Sequence, residues 1–95
     1  MMEFMDNNLE NDTLVICCEH VFHKIRKIRY VIHIDNDWQF LCGYDDVEID
    51  NIHHVGYGHL KIGEPTLVQI EKLPEGCFAF RNASDPKWST GKIQD

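Results

Sequence analysis

Residues 27 to 42 constrain the fold more than any other stretch, because two runs of strand-like alternation flank a turn signal. Along Lys27-Ile28-Arg29-Tyr30-Val31-Ile32-His33-Ile34, the residues Ile28, Tyr30, Ile32 and Ile34 share one face, while Arg29, Val31 and His33 share the other. This period of two is that of a strand with one buried side. Asp35-Asn36-Asp37 follows, with side chains that cap turns and tolerate left-handed backbone, and apolar alternation resumes from Trp38 to Cys42. The combination predicts a β-hairpin.

Around this hairpin the remaining elements can be placed in order. Thr13-Leu14-Val15-Ile16-Cys17-Cys18 is a β-branched-rich apolar run that predicts a strand buried on both faces. The stretch from Val21 to Arg26 is read as a turn back into the sheet. Within residues 52 to 62, Val55, Tyr57, Leu60 and Ile62 alternate, yet Gly56, Gly58 and Gly63 weaken any regular element, so a short strand running into a loop is expected. Pro65 suits a first helical position, and Leu67, Val68 and Ile70 supply the apolar stripe of a short helix that Leu73-Pro74-Glu75-Gly76 ends. Cys77 to Arg81 returns as a strand, with Phe78 and Phe80 on one face and Cys77 and Ala79 on the other. The large ring of Trp88 is expected to dock back on the domain.

The fold class is therefore α+β: a small antiparallel sheet of about four to five strands with one short helix packed on it. Ninety-five residues that are 43% hydrophobic suit one core, here assigned to residues 13 to 90, with 1 to 12 as a leader and 91 to 95 as a tail. Ten aromatic residues supply much of the buried area such a chain needs. Trp38, Phe40, Leu41, Phe78 and Phe80 are the expected core.

Sixteen acidic against nine basic residues give a formal charge of -7, which disfavours nucleic acid and favours a basic partner. No apolar run approaches the length of a membrane span, and the first residues are acidic where a signal peptide is basic. A cytoplasmic location with reduced cysteines is expected.

Candidate chemistry is sparse. Cys17-Cys18-Glu19-His20, with Cys42, Cys77, His23, His53, His54 and His59 elsewhere, offers thiolate and imidazole, the preferred donors for zinc. The spacing lacks the paired knuckles of structural zinc sites, so no metal, cofactor or catalytic residue is assigned. A small metal-binding or thiol-based module using Cys18, His20 and Cys42 stands as the alternative reading. The acidic carboxylates sit in expected loops, where solvation explains them without acid-base catalysis. Two charge clusters flank the hairpin: basic Lys24, Arg26, Lys27 and Arg29, and acidic Asp45, Asp46, Glu48 and Asp50. The acidic group, with Tyr44 and Tyr57 as aromatic anchors, is the expected partner-binding surface.

Four segments in order carry a family resemblance: Ile16-Cys17-Cys18-Glu19-His20-Val21, Trp38-Gln39-Phe40-Leu41-Cys42-Gly43, Glu64-Pro65-Thr66-Leu67, and Leu73-Pro74-Glu75-Gly76-Cys77-Phe78-Ala79-Phe80-Arg81 with Trp88. Over residues 14 to 88 the chain resembles the bacterial DUF2185 domain, also described as immunity protein Imm33. Glu64 stands where an Asp commonly precedes the proline. The resemblance implies a small α+β domain without enzymatic activity that neutralises a cognate protein toxin encoded nearby. An accessory adaptor subunit is a further alternative.

Overall fold

The computed structural model describes residues 9–43, 52–82 and 85–93. Its centre is the expected hairpin, in which β2 (Tyr30–Ile34) pairs antiparallel with β3 (Asp37–Leu41). The register sets Ile34 opposite Asp37, so Asp35 and Asn36 alone make the turn, with φ of 55° and 65°. Left-handed backbone at both central residues matches the right-handed twist of the strands, and Asp and Asn tolerate it better than other non-glycine residues.

Four further strands extend the hairpin to a six-stranded sheet in the order β4-β1-β3-β2-β5-β6. These are β1 (Leu14–Cys17), β4 (His53–Gly56), β5 (Cys77–Phe80) and β6 (Ser89–Lys92). All neighbours run antiparallel except β1 and β3, which are parallel. The sheet is therefore mixed, where a purely antiparallel one of fewer strands was expected. A parallel pair needs a crossover, and α1 (Glu19–Phe22), the loop after it and β2 together provide that connection. The region read as a turn, from Val21, thus opens inside a single helical turn that starts at Glu19.

The segment from 52 to 62 also differs from expectation. It is strand β4 followed without a break by α2 (Tyr57–Gly63). The first α2 amides find partners in the N-terminal flank: Tyr57 N–H donates to the Thr13 carbonyl and Gly58 N–H to the Asn11 carbonyl, each at 2.9 Å. A Cβ on Gly58 would lie 3.1 Å from that Asn11 oxygen. The glycine serves close approach of two backbones, so it marks a helix start and not a loop.

Pro65–Ile70 forms a 3₁₀ helix with proline in its first turn. Its period of three sets Leu67 and Ile70 on one side, both buried, and turns Val68 away to 57% exposure. Val68 is thus not part of the stripe.

One face of the sheet carries Val15, Cys17, Val31, Trp38, Phe40 and Ala79, which join Val21, Tyr57, Leu67 and Ile70 from the helices in a single core. His33 lies in this layer, stacked on Trp38 at 3.9 Å, and its Nδ1–H donates to the Leu73 carbonyl at 2.8 Å. The buried side of β2 is therefore the Val31/His33 side, while Tyr30, Ile32 and Ile34 are only partly covered. β1 is buried on one face, with Leu14 69% exposed. Of the expected core, Trp38 and Phe40 are buried, Leu41 and Phe78 are half-buried, and Phe80 is exposed, because strand alternation puts the last three opposite Ala79 and Phe40. Leu9 is buried, so packing begins inside the expected leader, and Gly91 and Lys92 belong to β6, so it continues into the expected tail.

A polar network closes the end of the core. Arg81, 7% exposed, places Nη2 2.7 Å from Glu64 Oε1 in an ion pair. Its Nη1 donates to Thr66 Oγ1 at 3.3 Å, its Nε donates to the Ile28 carbonyl at 3.0 Å, and its guanidinium lies 4.8 Å from the Trp88 ring centre. Thr66 donates to Glu64 Oε2 and accepts Trp88 Nε1–H at 3.1 Å. Burial pushes the Glu64 carboxyl up, but hydrogen bonds from Arg81 and Thr66 and the Arg81 charge outweigh it and hold the group below its ordinary value.

Arg81→Ala strands that carboxylate and is expected to cost about 3 kcal/mol or more, read from urea denaturation. A depressed folded-state carboxyl contributes stability above its unfolded value and loses it as pH falls through the folded one. The gap between wild type and Glu64→Gln should therefore be widest near neutral pH and close as pH drops below the ordinary 4.5.

Candidate functional site

The parallel register of β1 and β3, with Cys17 opposite Phe40, makes both strands leave the sheet at the same end. Cys18 follows β1 directly and occupies the N-cap of α1 in extended backbone (φ -77°, ψ 164°). Cys42 follows β3 after Leu41, and His20 sits within α1. The two sulfurs and a His20 ring nitrogen consequently lie within 4.8 Å of one another, with His20 Nδ1 3.9 Å from Cys42 Sγ. Both thiols are fully buried and the imidazole is half-buried.

A fourth group completes the cluster. After α1 the chain folds back on itself: Ile25 and Arg26 N–H both donate to the His20 carbonyl, at 2.8 and 3.2 Å, with Lys24 in left-handed backbone at φ 61°. This delivers Arg26 Nη1 to 3.4 Å from His20 Nδ1 and 3.6 Å from Cys42 Sγ. Sequence reading brought together Cys18, His20 and Cys42 as the alternative set but assigned Arg26 only to a basic patch. The adjacency of Cys18 and His20 arises from a helix cap and the helix it begins.

Burial pushes the Cys17 thiol up to about 11, assisted by neighbouring Cys18. The Cys18 thiol is likewise raised, chiefly by burial, with Cys42 adding to the shift. Cys17 and Cys18 are thus held as thiols with little nucleophilic character. The chemistry available to the cluster is soft-donor ligation, from two sulfurs and one imidazole nitrogen.

The expected partner-binding residues fare differently. Tyr44, Asp45, Asp46, Glu48 and Asp50 lie outside the described residues. Tyr57 is fully buried, ring to ring with Phe40 at 5.8 Å, and its hydroxyl donates to Glu71 Oε2 at 2.6 Å. It is a core residue and cannot serve as a surface anchor; burial first, then the Glu71 carboxylate, raise its hydroxyl pKa. Lys61 Nζ pairs with the same Glu71 at 2.7 Å. Of the basic patch, Lys24, Arg26 and Lys27 line a groove facing His59, Leu60 and Glu64 of the α2 side, so its electrostatics are mixed.

A different surface emerges on the sheet face away from the helices. Cross-strand register aligns Ile16, Gln39, Ile32 and Phe78 in one row and Leu41, Tyr30 and Phe80 in the next. Phe78 lies 5.7 Å from Tyr30 and 5.9 Å from Phe80 between ring centres. Gly91 of β6 makes room for it, since a Cβ there would come within 2.9 Å of Phe78 Cζ. Phe80 is 45% exposed at the edge of this cluster. The alternation of Phe78 and Phe80 was readable in the sequence; which side of the strand faced the helices was not.

Thiol labelling checks the burial pattern. In the native state Cys77, which is half-buried, should react first with an alkylating reagent, whereas Cys17 and Cys18 should label only under unfolding conditions, as followed by mass spectrometry.

Among the described residues no helix is long and apolar enough to cross a membrane. Compared with protein-family models, curated proteins and solved structures, the chain matches none of them.

Proposed function

We propose that this chain is an immunity-like binding protein that neutralises a cognate bacterial toxin by covering one of its functional surfaces. The observation that carries this reading is the open sheet face, where Tyr30, Ile32, Phe78 and Phe80 form an aromatic and aliphatic platform with no described helix packed on it. Large rings are strong anchors at protein interfaces, because each removes much apolar surface from water at small entropic cost.

Two further points support it. Three polar residues of the segments that carry the resemblance, Glu64, Thr66 and Arg81, are engaged in the network that holds the core closed. Their part is structural, so this network does not compete with the sheet face for a partner. With a net charge of -7, a basic toxin surface is the complementary partner, and Asp45, Asp46, Glu48 and Asp50 contribute to that field from the sequence.

The partner for the test is the cognate toxin that the proposal calls for, in an inactive form. Phe80→Glu, at an exposed position, should keep the far-UV circular dichroism of the wild type and weaken toxin binding roughly tenfold or more in titration calorimetry. Reversing the four acids should chiefly slow association at low salt. Undiminished binding by a folded Phe80→Glu and Tyr30→Ala double variant would remove the sheet face from the interface.

A further inference from the structure

We infer that Cys18, His20 and Cys42 form a zinc site in which the metal ion takes the place of the chain's own Arg26 guanidinium. The two sulfurs and the imidazole nitrogen come from two separate pieces of chain, the start of α1 and the end of β3, and lie within 4.8 Å of one another. A tetrahedral zinc ion with sulfur and nitrogen ligands about 2.3 and 2.1 Å away holds its donors roughly 3.6 to 3.8 Å apart, so the 3.9 Å between His20 Nδ1 and Cys42 Sγ is already close to that spacing and the cluster draws in slightly around the ion.

A second observation points the same way. The Cys42 sulfur and His20 Nδ1 both face Arg26 Nη1, at 3.6 and 3.4 Å, so the lone pairs of two donors already converge on a positive charge. A guanidinium offers only N–H bonds to these weak acceptors, whereas zinc forms direct bonds to thiolate and imidazole. Two cations cannot share the pocket at this distance, because their repulsion in a partly dry site is large. The Arg26 guanidinium gives up its contacts with His20 and Cys42 as the ion binds. The incoming ion displaces the thiol protons to solvent, and water takes the fourth coordination position.

The site is built by elements already fixed by the fold. Cys18 caps α1, Cys42 leaves β3 beside it, and the parallel register of β1 and β3 sets their separation. The backbone that carries the donors is thus set by the fold, the adjustment falls on side chains, and the inference is independent of whether the sheet face binds a toxin.

The test uses the full reduced chain, stripped with a chelator that is then removed, and titrated with zinc against a coloured competitor and with cobalt(II) as a spectroscopic probe. One ion should bind per chain, and the cobalt form should show thiolate-to-metal charge transfer with the intense visible bands of tetrahedral geometry. His20→Gln, at a half-exposed position, and Cys42→Ser should each weaken zinc about tenfold or more. Arg26→Gln removes the competing cation and should tighten binding. His54→Gln, outside the cluster, should leave it unchanged, and circular dichroism checks that each variant is folded. Absence of stoichiometric uptake, or uptake indifferent to both His20→Gln and Cys42→Ser, would overturn the site. Weaker zinc binding by Arg26→Gln would overturn the exchange of ion for guanidinium.

Discussion

The parallel pairing of β1 with β3 is the constraint on which most of this molecule depends. Every other strand pair is antiparallel and needs only a turn or a return loop, but this one obliges the chain to cross from one end of the sheet to the other between the two strands. The crossing segment supplies α1, and its return strand β2 fills the place beside β3. Because the partners run the same way, Cys18 and Cys42 emerge side by side. The same alternation fixes Val15, Cys17, Trp38 and Phe40 on the helix side, and leaves Ile16, Gln39 and Leu41 on the other.

The second organising interaction is the pairing of Arg81 with Glu64. It joins the end of β5 to the start of the 3₁₀ helix, and Thr66 and Trp88 complete a ring of partners around the buried guanidinium. A buried ion pair is rarely a large net gain over apolar packing, but losing either partner is costly, so such a pair specifies geometry more than it adds stability. Here it sets where the helix begins relative to the sheet.

How much of this could be read beforehand varied with the range of the interaction. The Asp35-Asn36 turn, the alternation of Cys77 to Phe80, the proline at the 3₁₀ start and the docking of Trp88 are local signals or single large rings, and each was readable. The side of β2 that faces the helices was not, because Ile32 and Val31 are both strand formers and only the tertiary partner decides between them. Gly58 was misread for a similar reason: its small size answers to Asn11, forty-seven positions away in a contact no local pattern reveals. For the candidate cluster, Cys18, His20 and Cys42 could be named, but the approach of Arg26 depends on the fold-back of the loop after α1. The partner surface was least accessible, since Tyr57 carries the same aromatic character as a surface residue and is distinguished only by burial.

The contact between that early flank and the start of α2 couples regions far apart in the chain. Thr13 and Asn11 satisfy amides that a helix start would otherwise leave to water, and β4, immediately before, is hydrogen-bonded along β1. The flank, the β1–β4 pairing and the start of α2 are therefore tied by shared backbone hydrogen bonds, so fraying at Asn11 and Thr13 exposes the first amides of α2.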